Sequence, residues 1–155
     1  MRATAEVHAR PDAGRAMLCA MAELVLHHTF RAPIDRVWAR IDDHAGMSAW
    51  IGAPVRVRGD GAVGTVRTVG AGFTFDETIV EREPPHRLVY RITRGVPVTH
   101  RGEIALTERA PGTTELRWTI AMTSRIPFFV PVLVRVLRFS LTRALATLAR
   151  LVEAA

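Results

Sequence analysis

The 155-residue sequence has no lysine, no asparagine and no glutamine, and it has one cysteine and one tyrosine. Without lysine there is no Schiff-base chemistry and no P-loop lysine to grip a phosphate. A lone cysteine, Cys19, forms no internal disulfide. No apolar run approaches the roughly 20 residues a membrane-spanning helix needs. The nearest, Ile126–Leu137, is broken by Pro127, Pro131 and Arg135. The N-terminus has no continuous apolar core of a signal peptide, being cut by Pro11, Asp12, Gly14 and Arg15, so cytoplasm is the expected compartment. The formal net charge is +6, carried wholly by arginine. These arginines are scattered, and a single tyrosine leaves little for base stacking, which argues against a nucleic-acid partner.

What is present is an ordered change of period. Residues 1–19 are small, polar and aperiodic and read as a flexible extension, with Met17 or Met21 as alternative starts; residues 20–155 read as one domain. Glu23–Arg31 reads as a strand, with Leu24, Leu26, His28 and Phe30 on one face. In Pro33–Asp42 the residues Ile34, Val37, Trp38 and Ile41 follow a helical period, with Pro33 suited to the first position and Asp35 to the first turn. A second short helical piece, His44–Ile51, ends at Gly52. From Val55 to Met122 the period falls to two, broken by Gly- and Pro-bearing turns, as in an antiparallel meander. Its strands read as Val55–Arg58, Val63–Val69, Phe73–Arg82, His86–Thr93, Val98–Glu108 and Thr113–Ser124.

From Pro127 a helical period returns. Leu133, Leu137, Leu141, Ala144, Leu148 and Leu151 form one stripe, opposite Arg135, Arg143, Arg150 and Glu153. One helix cannot cover both faces of such a sheet, so the sheet is expected to curl around it and leave a cavity. The back of the helix reads as a solvated basic face, with an anionic membrane or partner as the minority reading.

Three motif readings fail on context. Gly59-Asp60-Gly61-Ala62-Val63-Gly64 matches a dinucleotide fingerprint by letter, but the β-branched alternation after it makes a hairpin turn, not a phosphate-binding helix. His27 and His28 are adjacent on a strand and point to opposite faces, while Asp42, Asp43 and His44 read better as a helix end than as a cation site. No metal or cofactor is implied. No nucleophile elbow is present.

General acid–base chemistry remains. If the apolar sets Phe73, Phe75, Ile79 and Leu88, Tyr90, Ile92 face the long helix, then Glu77 and His100 face the same interior. Burial there raises a carboxylate's pKa and lowers a histidine's. Glu77 and His100 are therefore the candidate catalytic pair. A one-residue bulge would instead turn Asp76 inward, and an inward Glu77 has Arg67 or Arg91 within reach as a partner.

The segments FRAPIDRVWARIDDHAGMSAW, GAVGTVRTV, DETIVEREPPHRLVYRI, GVPVTHRGEIAL and GTTELRWTI, ahead of a long final helix, resemble the SRPBCC superfamily over roughly residues 23–152. Its marks here are the helix with Val37 and Trp38, the Glu-x-x-Pro-Pro-x-x-Leu-x-Tyr stretch Glu81–Tyr90, and the stretch Gly112–Trp118. That superfamily includes START lipid-transfer domains, proteins like the birch-pollen allergen, abscisic acid receptors and bacterial polyketide cyclase/dehydrase-like proteins. The resemblance implies an α+β helix-grip fold: a curved seven-stranded antiparallel sheet around the C-terminal helix, two short helices after the first strand, and a hydrophobic cavity gated by the loops Gly70–Gly72 and Gly95–Pro97. In the receptors a pocket glutamate precedes an apolar residue by two, as Glu77 precedes Ile79; their pocket lysine has no counterpart here.

The expected activity is binding of a lipid-like, polyketide or aromatic molecule. Trp50, Phe75, Tyr90, Trp118, Leu133, Leu137 and Leu141 would supply apolar wall, with Arg67, Glu77 and His100 as polar groups. The alternatives are a cyclase/dehydratase using Glu77 and His100, and an interaction module with an apolar patch at Phe128, Phe129 and Val130. A homodimer is left open.

Overall fold

A computed structural model describes residues 20–154; the expected extension, residues 1–19, lies outside the described residues. The chain runs β1 (Ala20–Phe30), α1 (Ile34–Asp42), α2 (Ser48–Ile51), β2 (Val55–Arg58), β3 (Val66–Val69), β4 (Phe75–Glu83), β5 (Arg87–Arg94), β6 (Thr99–Ala110), β7 (Thr113–Ser124) and α3 (Phe129–Glu153). Six strands from β2 to β7 pair in sequence order as an antiparallel meander. The first strand then pairs with the last, Leu24 opposite Ile120 and Phe30 opposite Thr114, so β1 and β2 occupy opposite edges. The link between those edges is α1 and α2.

Local sequence explains each element. The four residues spaced for a helix, Ile34, Val37, Trp38 and Ile41, are the buried residues of α1. Each fully buried side chain of this kind contributes about 1.5–3 kcal/mol. The second helix is one turn and stops at Gly52, whose φ of 82° is the left-handed conformation that closes a helix. On β7, Leu116, Trp118, Ile120 and Met122 are buried while Arg117 and Ala121 are exposed, the alternation of a sheet with one solvated face. The glycine run from Gly59 to Gly64 is the turn between β2 and β3, where Thr65 Oγ1 accepts from Gly61 N at 2.9 Å, and a strand follows it.

The long helix packs against β1, β7, α1 and α2. Leu141, Ala144, Leu145, Leu148 and Val152 fill its C-terminal half. In its N-terminal half Leu133 and Leu137 are only partly buried. The basic back expected for α3 is mixed: Val132, Val136 and Phe139 are exposed there beside the arginines. Residues 128–137 are apolar almost all round the helix, so periodicity cannot say which side is covered. The patch expected at Phe128, Phe129 and Val130 is likewise corrected. Phe128 is exposed and Val130 buried, and Phe129 faces a cavity, because the three successive residues are spread around the start of the helix.

Two side chains bind distant segments. Ser124 Oγ donates to Pro97 O at 2.9 Å and accepts from Ile126 N at 3.1 Å, tying the approach to α3 to the β5–β6 loop. Thr114 Oγ1 donates to Ala32 O at 2.7 Å from a buried position. Among the described residues no helix is long and apolar enough to cross a membrane.

Candidate functional site

A cavity of about 300 Å³ lies between the sheet and the first half of α3. Its wall is contributed by Met47 and Ile51 near α2, by Val69, Phe75, Tyr90, Ile92, Trp118 and Ile120 from the sheet, and by Phe129, Leu133, Leu137 and Leu141 from α3. Phe73, largely exposed, and Val96 come from the β3–β4 and β5–β6 loops. Those loops press on the segment between Phe73 and Phe75. A Cβ on Gly70 would sit 2.3 Å from Phe73 O, and one on Gly95 would sit 2.5 Å from Thr74 O. Gly70 and Gly95 also have φ of 109° and 100°, so a residue with a side chain is strained at either place.

Three polar side chains line this apolar space: Glu77, Tyr90 and His100. Strand parity brings them there. Glu77 and its neighbour Asp76 are adjacent carboxylates with opposite fates. Asp76 sits on the outer face, where it accepts from Arg94 Nε at 2.9 Å and Thr68 Oγ1 at 2.7 Å and pairs with Arg58 at 3.3 Å. Those bonds hold its carboxyl down to about 2. Glu77 points inward and accepts from the buried Arg67 at 2.7 Å. Burial raises its pKa, and the Arg67 charge only partly opposes that. β5 has one extra residue opposite the Asp76–Glu77 step, and the parity of β4 survives there. The inward-facing alternative, Asp76, is thereby corrected.

Arg67 stands behind Glu77 and outside the cavity lining, its guanidinium 4.9 Å from the centroid of the Tyr90 ring. The Tyr90 hydroxyl accepts from Trp118 Nε1 at 2.9 Å, and burial among these groups pushes the phenol pKa up. The His100 ring lies 5.5 Å from that of Tyr90. Burial holds the imidazole down to about 4, so it is neutral at physiological pH. Its Nδ1 is buried with no hydrogen-bond partner among the described residues. An unpaired buried polar atom costs about 1–3 kcal/mol.

Most of the residues singled out in the sequence converge here. Phe75, Glu77, Tyr90, His100, Trp118, Leu133, Leu137 and Leu141 line one space, whereas Trp50 and Arg67 do not. Trp50 is displaced into the core, its ring edge-on to Trp118 at 6.3 Å, because the short α2 turns it behind the wall that Met47 and Ile51 form. Ile92 and Ile120 were legible from the parity that placed Tyr90 and Trp118. Phe129 and Val96 had no such signal, since loops and helix starts carry no period. The group at the end of α1 does other work. Asp42 holds Arg82 through bonds of 2.8 and 2.6 Å, Asp43 accepts from Gly46 N at 2.9 Å, and His44 is buried. Burial lowers the pKa of His44, and the Arg67 charge adds to the effect.

Comparison with solved structures finds the same fold widely. A protein from Chromobacterium violaceum is 23% identical with a TM-score of 0.68, over 84% of this chain and 96% of that one. Norcoclaurine synthase from Thalictrum flavum, solved with dopamine and hydroxybenzaldehyde, is 15% identical with a TM-score of 0.70, over 94% and 96%. CalU16 from Micromonospora echinospora is 19% identical with a TM-score of 0.62, over 84% of each chain. These likenesses establish the helix-grip, Bet v1-like fold and no activity. Comparison with curated proteins finds no match. The family described as polyketide cyclase / dehydrase and lipid transport matches residues 21–153, and the chain belongs to that family.

Proposed function

We propose that the cavity binds a hydrophobic small molecule and that Glu77 and His100 orient it. The observation that carries this reading is an almost wholly apolar wall around about 300 Å³ with few polar groups converging on it. That combination is the usual form of a small-molecule site, at the lower end of the usual size. A dry engineered cavity of about 150 Å³ takes one benzene. This volume therefore suits about two fused rings or an acyl chain of similar bulk. His100 Nδ1 supplies an unused acceptor or donor for a ligand hydroxyl or carbonyl. The test is titration with naphthols and medium-chain fatty acids, read by fluorescence of Trp118 in the cavity wall. Saturable binding that Leu137→Trp abolishes by filling the space supports the reading; identical binding by that variant contradicts it.

A second reading is acid–base catalysis of a cyclase or dehydratase type. It is favoured by one observation: a carboxyl whose pKa is raised and an imidazole whose pKa is lowered line the same space. On this reading His100 accepts a proton from carbon or oxygen and Glu77, when protonated, returns one to a leaving hydroxyl. Glu77→Gln and His100→Ala then abolish turnover of a bound molecule. If the two groups only orient it, the same variants weaken affinity and leave the molecule chemically unchanged.

A further inference from the structure

We infer that the outer face of α3 is a docking surface for an anionic lipid bilayer. Phe128, Val132, Val136 and Phe139 are exposed along one side of the helix, Phe128 at 83% and Phe139 at 67% of their surface. In a chain free of other need, large apolar side chains at this spacing would be buried or replaced. Phe128 is also the one non-glycine residue with positive φ among the described residues, at 61°. A bulky residue held in the left-handed region is strained, and here the strain presents an aromatic ring to solvent.

Charge identifies the occupant. From Phe128 to Val152 there is no aspartate or glutamate, while Arg135, Arg138, Arg143 and Arg150 are all exposed. Arg143 sits over the Phe139 ring, 5.7 Å from its centroid. Apolar side chains that enter the interface, flanked by arginines that meet phosphate, are the pattern of a helix lying on an anionic membrane. A second copy of the chain fits worse. In a two-fold contact the same arginines would face their own copies, and the one carboxylate of the helix, Glu153, lies at its far end and already accepts from Arg31 N at 2.9 Å. The patch begins one residue from Phe129 in the cavity wall, so docking would bring the cavity toward the lipid surface. The inference holds whatever the cavity contains.

The experiment is flotation of the full chain with vesicles of phosphatidylcholine alone, or of phosphatidylcholine mixed with an equal amount of phosphatidylglycerol, at low and high salt. Two variants accompany it, Val132→Glu with Phe139→Glu, and Arg135→Ser with Arg143→Ser. All four positions are exposed, and circular dichroism checks the fold. The expected result is binding to the anionic vesicles only, weakened by salt, lost in the glutamate variant and reduced about thirtyfold in the serine variant. No binding to anionic vesicles overturns the inference, as does equal binding by either variant. A wild-type dimer that the glutamate variant splits, with vesicles ignored, also overturns it and makes this face a contact between copies.

Discussion

The Tyr90 ring lies directly on Gly102, its partner across the β5–β6 ladder. A Cβ on Gly102 would come within 2.2 Å of Tyr90 Cζ, so the absence of a side chain is what lets the ring cross the strand. By crossing, Tyr90 on β5 reaches Trp118 on β7 and closes one side of the cavity. Gly102 has no positive φ; its role is space, not conformation.

Gly102→Ala is therefore expected to destabilise the chain by about 1–3 kcal/mol through overpacking and to break the Tyr90–Trp118 bond. In a Tyr90→Ala background the same change should cost almost nothing. Denaturant melts of the four proteins in this cycle check the coupling. Equal costs in both backgrounds would show that Tyr90 is not what Gly102 accommodates.

The Arg67–Glu77 pair is buried on both sides. Removing one partner leaves an uncompensated buried charge, which costs about 3–5 kcal/mol. Arg67→Leu should thus be strongly destabilising at neutral pH, and Arg67→Leu with Glu77→Gln much less so. The pH dependence of the single variant has a definite sign. Its remaining carboxyl titrates higher when folded than the ordinary 4.5, so the folded state holds the proton more tightly. Stability is then full below about 4.5 and is lost as pH rises through the folded pKa. Urea melts across pH read this directly, and a flat profile contradicts it.

His100 gives the opposite slope. Its folded pKa is depressed to about 4 from an ordinary 6.5, so between those values the unfolded chain binds a proton that the folded chain does not. Stability is present above about 6.5 and falls as pH drops toward 4, by about 3 kcal/mol in all. His44, also lowered by burial, acts in the same direction. His100→Leu should remove the His100 share of the loss and leave that of His44. An acid limb unchanged in this variant would place the effect elsewhere.

Much of this was legible in the sequence because burial and period coincide. Leu24, Leu26 and Phe30, the four apolar residues of α1, and the inward set on β7 all follow from spacing. Glu77 was placed correctly because its strand keeps parity from Phe75 to Ile79. What escaped lies where no period exists. The turn holding His44 gives no sign that its imidazole is buried. Strand ends shifted by up to three residues, as with Val63, which falls in the turn before β3. The exposed face of α3 was hidden because Val132, Val136 and Phe139 add to an apolar count that already pointed inward.

Filling the cavity should separate packing from binding. Leu137→Trp adds bulk at a partly buried position on the wall, so its effect on stability should stay within about 1–3 kcal/mol. Its effect on ligand capture should be complete. Thermal melts and probe titration, measured on the same preparation, check that difference.

The most direct measurement is a native mass spectrum of the gently purified protein, beside that of Leu137→Trp, with extraction and identification of whatever is released on denaturation. The account predicts a one-to-one adduct of a lipid-like or aromatic molecule on the wild type and a bare mass for the variant. A bare wild type that also captures no added naphthol or fatty acid, or an adduct retained in full by the filled variant, would contradict it.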